Sequence, residues 1–208
     1  MARLDLPRFC AMFPRLYRLS SLGSAQGIRR HGLLCAADIA ASAGGILPAG
    51  PRPVAIVYRL PDGTAITVTD NTPLSVARLA ACLDDGLSPS DWLAMLNARL
   101  LFWPTERTGE GNRRARARLD YASEWHVFDT AALLEGAWDR TEIAPINTGS
   151  TIHRPARRGA ATFARVAGLD YAAWRRARGR ASPDIVKEVT ILGSLGRAGE
   201  ALIDVRPA

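Results

Sequence analysis

Lysine is almost missing: Lys187 stands alone beside 26 arginines in a chain of 208 residues. Cysteine is scarce too. Cys10, Cys35 and Cys82 are widely spaced, odd in number and without a C-x-x-C pair, which excludes a disulfide framework and a cysteine zinc site and leaves them as small buried hydrophobes. The three histidines, His31, His126 and His153, lack metal-ligand spacing. Neither a phosphate-binding P-loop nor a Ser-His-Asp set is recognisable, so nucleotide-hydrolase and serine-hydrolase readings have no support. Apolar runs are short, of the kind Val54 to Tyr58, far below the roughly 20 residues of a membrane span. The first residues carry Asp5, Pro7 and Pro14 and no continuous apolar stretch, so no secretory signal is read and the expected location is cytoplasmic, without a membrane partner.

What remains is a chain with 48% hydrophobic residues and a formal net charge of +7. That is enough apolar material for one core, and a single domain over 1–208 is expected, with an N-terminal extension over 1–14 and an internal loop over 41–53. The arginines cluster at 113–118, at 154–158 and at 175–180. Such an excess reads either as a site for a phosphate-bearing partner or as a solvated basic surface.

The elements are legible from pattern. Residues 54–69 read as a β-hairpin around Pro61-Asp62-Gly63. A helix is expected from Thr72-Pro73 to Gly86, and a second from Ser88-Pro89. "ARLLFWP" (98–104) reads as a strand and 111–122 as a basic helix. A strand over 125–129 is followed by a short helix capped by Asp129 or Thr130. A polar loop is expected from Trp138 to Gly159, then a helix over 169–178 and strands over 184–192 and 201–205. Strands and helices mix without a βαβ rhythm or a G-x-G-x-x-G, which predicts an α+β fold.

Chemistry gathers at a few places. Alternation within 184–192 puts Val186, Glu188, Thr190 and Leu192 on one strand face, and both faces are apolar enough to be buried. A carboxylate there is expensive unless it is paired or faces a wet cleft, so Glu188 reads as a functional group or as half of an ion pair. Trp103 ends its strand where a flat heterocycle stacks, or serves as core. Arg18 is suited to phosphate or ribose hydroxyls, or to a surface ion pair. The loop "INTGSTIHRPARRG" (146–159) carries Asn147, Thr148, Gly149, Ser150 and Thr151 and then Arg157 and Arg158, groups that serve turns and phosphates alike.

Taken together, "LYRLSSLGSAQGIRRHGLL" (16–34), "RLLFWP" and "IVKEVTI" resemble the motifs of ADP-ribosyltransferase-fold domains, as in DarT-like DNA-modifying toxins and poly-ADP-ribose polymerases. The longer string, with "DWLAMLNARLLFWPTE", "FDTAALLE", "INTGST" and "RRGAATF", also resembles an uncharacterised bacterial domain family from about residue 14 onward. The transferase resemblance implies a split mixed sheet with flanking helices, NAD as substrate, no metal, and Glu188 as the catalytic carboxylate. It implies Arg18, Ser20, Trp103, Asn147, Ser150 and Thr151 around NAD, with Arg18 standing where many such enzymes have histidine. Arg113, Arg114, Arg116 and Arg118 would face a nucleic-acid acceptor, and a toxin or defence enzyme of this kind would have an antitoxin. The alternatives are an RNA 2'-phosphotransferase of the same fold and a catalytically inert nucleic-acid-binding module.

Overall fold

Asp5 accepts the Arg8 N–H at 3.0 Å and Pro7 sits in the first turn, so the chain begins with a capped helix, α1 (Leu6–Met12). Its Phe9 is fully buried in the main core, so the N-terminal extension is part of the packed structure. The computed structural model describes residues 3–71, 74–151, 155–178 and 185–208. After α1 come β1 (Arg15–Ser21), α2 (Ala25–His31), α3 (Ala36–Ser42) and the hairpin β2 (Ile56–Arg59) and β3 (Ala65–Val68). Then follow α4 (Val76–Cys82), α5 (Pro89–Asn97), β4 (Arg99–Phe102), α6 (Glu106–Ala117), β5 (Ser123–Asp129) and α7 (Thr130–Leu134). The chain ends with β6 (Thr141–Ala144), β7 (Ala164–Arg165), α8 (Tyr171–Ala177), β8 (Glu188–Leu192) and β9 (Leu202–Pro207). The fold is α+β, as the mixed order of elements predicts.

Two antiparallel sheets carry the architecture, one in the order β1-β5-β9 and the other β4-β8-β6-β7. They meet at one bridge, where Tyr17 and Trp103 exchange backbone hydrogen bonds of 2.9 and 2.8 Å. Strand alternation carries across this bridge and defines two faces. Leu16, Phe102, Phe128, Ile143, Val189 and Ile191 build the main core on one face. Tyr17, Trp103, Trp125, Glu188 and Thr190 belong to the other. There α6 covers the aromatic end, and α4 and α5 form a second core with Ala144 and Phe163.

Several boundaries differ from the sequence reading. The first of the two central helices starts at the Ser75 cap and ends at Cys82; Thr72-Pro73 lies outside the described residues. The basic helix begins earlier than 111, because Thr105 and Thr108 form a reciprocal cap. The loop expected over 138–159 contains β6, a four-residue strand buried throughout. The strand expected from 184 begins at Glu188, and Asp184 lies outside the described residues. Among the described residues, no helix is long and apolar enough to cross a membrane.

Candidate active site

The head of β8 is locked to the end of β6: Glu188 pairs with Ala144, and the Lys187 N–H donates to Ala144 O at 2.9 Å. The turn that follows β6 therefore folds over the Glu188 side chain, which is 5% exposed. Thr148 supplies what the carboxylate needs. Its N–H lies 3.2 Å from each carboxylate oxygen, and its hydroxyl donates to Oε2 at 2.5 Å.

Thr148 is itself held from behind. Its carbonyl accepts Arg158 Nη1 at 3.1 Å and Trp92 Nε1 at 3.3 Å. Arg158 also donates to Ser150 O and Ala156 O, and its guanidinium lies 5.7 Å from the Trp92 ring centre. The result is a rigid unit of Trp92, Arg158, Thr148 and Glu188. Burial pushes the Glu188 carboxyl up to about 7, although the Thr148 hydroxyl and N–H and the more distant Arg158 charge all pull it down.

A second buried carboxylate on the same face behaves differently. Glu142 accepts Arg99 Nε at 2.8 Å and Nη2 at 3.3 Å, with the Thr190 hydroxyl at 3.2 Å. Arg99 is further fixed by Met95 O and lies 4.1 Å over Phe163. Glu142 is thus neutralised as a structural ion pair. Glu188 has no such partner among the described residues and takes its hydrogen bonds from Thr148.

The other expected site residues divide between two places. Arg18 leaves β1 on the face opposite Glu188, and its guanidinium enters the gap where β1 and β4 part, donating to Leu101 O at 2.9 Å. Burial, with the Arg116 charge, lowers it to about 10, and its Nε has no hydrogen-bond partner. Across the ladder stands His126, fully buried, with Nε2 2.7 Å from Glu124 and Nδ1 unpartnered. Burial lowers the His126 ring against the pull of Glu124. Ser20 pairs across the strands with Glu124. None of the described contacts joins Arg18 to Glu188.

Trp103 is half-buried with its ring 5.8 Å from Trp125, under Gly109 of α6. Asn147 accepts the Gly149 N–H, the Ser150 carbonyl accepts Arg158, and the Thr151 hydroxyl accepts the Ser75 N–H at 2.7 Å. Among the described contacts these three shape the loop, and none joins them to the carboxylate. On α6, Arg113 and Arg114 share Glu110, Arg116 is spent on Ser123 and the Tyr121 ring, and Arg118 is exposed at the helix end. His153, Arg154 and Arg180 lie outside the described residues. The described residues contain no group of His, Cys, Asp and Glu able to hold a metal.

Thr148 is the residue that sequence reasoning passed over in choosing the site. Its signal was its place in the polar loop, three residues after a proline that follows the unrecognised strand β6. A family model described as a family of unknown function, DUF7002, matches residues 14–202, and the chain belongs to that family. No curated protein and no solved structure gives a match.

Proposed function

We propose that this chain is an NAD-dependent mono-ADP-ribosyltransferase in which Glu188 is the catalytic carboxylate. The observation that carries the reading is a buried glutamate, unpaired by any basic side chain among the described residues and held by both donors of Thr148. Glu142 is neutralised by Arg99, and Glu124 caps a helix beside His126; Glu188 does neither, which suits a group that meets positive charge during reaction.

NAD supplies a cationic leaving group whose departure from ribose develops positive charge at the anomeric carbon. Glu188 would accept a ribose hydroxyl and stabilise that charge. The bond from ribose to nicotinamide breaks, nicotinamide leaves with the bonding electrons, and the acceptor atom that attacks the ribose gives up its proton. Tyr17 and Trp103 are half-buried on the same sheet face as Glu188, with both rings against Trp125. Arg18 fits less directly, because it holds Leu101 O and would have to release it to reach a ligand.

The split between the two sheets is consistent with the fold that the sequence motifs resemble. Arg114, paired with Glu110, and Arg118 at the helix end are the exposed positions from which an acceptor with phosphates would be met. Incubation with labelled NAD and single-stranded DNA, RNA and cell lysate, beside a Glu188→Gln control, tests the proposal. Label moving to one acceptor class in the parent protein and not in the control is the expected result; no NAD turnover with any acceptor would refute it.

A further inference from the structure

Behind the Thr148 loop lies a cleft of about 390 Å³, lined on one side by Ile146 and on the other by Arg158, Gly159 and Thr162, with Arg157 and Arg178 at its rim. Two aspartates also line it, and both are engaged. Asp84 is ion-paired to Arg157, and Asp85 accepts the Ala160 N–H at 3.1 Å. The remaining two arginines have no carboxylate partner among the described residues.

Arg158 is 2% exposed and spends Nε and Nη1 on the carbonyls of Ala156, Thr148 and Ser150. Its guanidinium also meets the Cys82 side chain. Arg178 lies 4.3 Å over the Trp174 ring and donates Nη1 to Trp174 O at 3.2 Å; among the described residues no hydrogen bond engages its Nε or Nη2. Burial lowers both guanidinium groups. Desolvating a cation is costly unless an anion meets it. Two guanidinium groups that line one cleft suit an anion from outside.

We infer that this cleft is a phosphate site, in which the guanidinium groups of Arg158 and Arg178 that line it grip the pyrophosphate of a nucleotide. Guanidinium forks match phosphate oxygens in pairs, and the Trp174 ring fixes the plane of the Arg178 fork. The apolar wall of Ile146 and Ala161 leaves room for the rest of a small molecule. Arg158 touches both the cleft and the Thr148 carbonyl, so an anion held there sits one residue away from the support of Glu188. The identity of the nucleotide as NAD rests on the transferase reading; the anion site does not.

The test is calorimetric titration with inorganic pyrophosphate, followed by competition with NAD. The parent protein is expected to bind pyrophosphate, Arg178→Met to bind it about tenfold more weakly, as loss of one charged hydrogen-bonding group predicts, and Arg178→Lys to fall between. Thermal unfolding of the two variants, whose substitution lies at a half-exposed position, checks that they remain folded. Absence of pyrophosphate binding by the parent, or equal binding by folded Arg178→Met, overturns the site. Binding that depends on Arg178 and is displaced by NAD supports both the site and the transferase reading. Binding that depends on Arg178 but is untouched by NAD supports the site and removes NAD as its nucleotide.

Discussion

Glu142 and Glu188 lie on one buried sheet face, and the contrast between them is set by single side chains. Arg99 makes Glu142 half of an ion pair, whereas Thr148 gives Glu188 hydrogen bonds without charge. Since the folded-state value of about 7 for Glu188 lies above its ordinary 4.5, the native protein holds a proton there that the unfolded chain has lost. Stability from this group therefore falls as pH rises through that window, and the loss is complete above it. Glu188→Gln cannot ionise. Relative to the parent protein it should gain on the order of 3 kcal/mol between pH 4.5 and pH 8, measured by urea unfolding at several pH values; parallel pH profiles for the two proteins would contradict the assignment. Thr148→Val keeps the N–H and removes the hydroxyl. It should move the Glu188 carboxyl further up and destabilise the protein by about 1–2 kcal/mol at pH 8, which carboxyl-carbon NMR titration and urea unfolding read together.

At the scale of elements, two contacts seat helices against the first sheet. Glu124, 5% exposed on β5, accepts the N–H groups of Gly23 and Ala25 at 3.0 Å and the Ser24 hydroxyl at 3.3 Å, so a strand carboxylate caps α2. Burial alone would raise that carboxyl, but those hydrogen bonds and the His126 ring together hold it below its ordinary range. Glu124→Ala leaves the donors unsatisfied and should cost about 3 kcal/mol, with faster amide exchange confined first to α2. Gly109 is the second contact. A Cβ there would come within 2.6 Å of Trp125 and 2.8 Å of Trp103, so Gly109→Ala should push α6 off the aromatic end, destabilise by about 1–3 kcal/mol and change the near-ultraviolet dichroism of the tryptophans. The arginine-rich body of α6, broken by Gly109 and Gly111, hid its true start in the sequence. The Thr105 and Thr108 cap was the available signal. Strand β6 was hidden for another reason: "TEIA" is too short to show alternation, and its burial on both sides comes from neighbours distant in sequence.

At the scale of the whole molecule, what was legible is what local pattern encodes: the hairpin, the Ser88 and Asp129 caps, the buried strand at β8 and the conspicuous carboxylate within it. The pairing of β1 with β5, and of β4 with β8, is a long-range outcome that periodicity does not reveal. Hence Arg18 and Glu188, natural partners when read in order, start from opposite faces of the joined sheets, and Arg18 fills the split that separates them. The same long-range packing brings the Arg158 segment beneath Thr148, linking the carboxylate to the cleft behind it. The role proposed for Glu188 is that of a reactive group in NAD chemistry. Its most direct test is release of nicotinamide from NAD by parent protein and Glu188→Gln at pH 8, with both shown to be folded by circular dichroism. Release by the parent and at least a hundredfold less by the variant, an effect of about 2.7 kcal/mol on the barrier, is the predicted result; equal release by two folded proteins, or none by the parent, contradicts it.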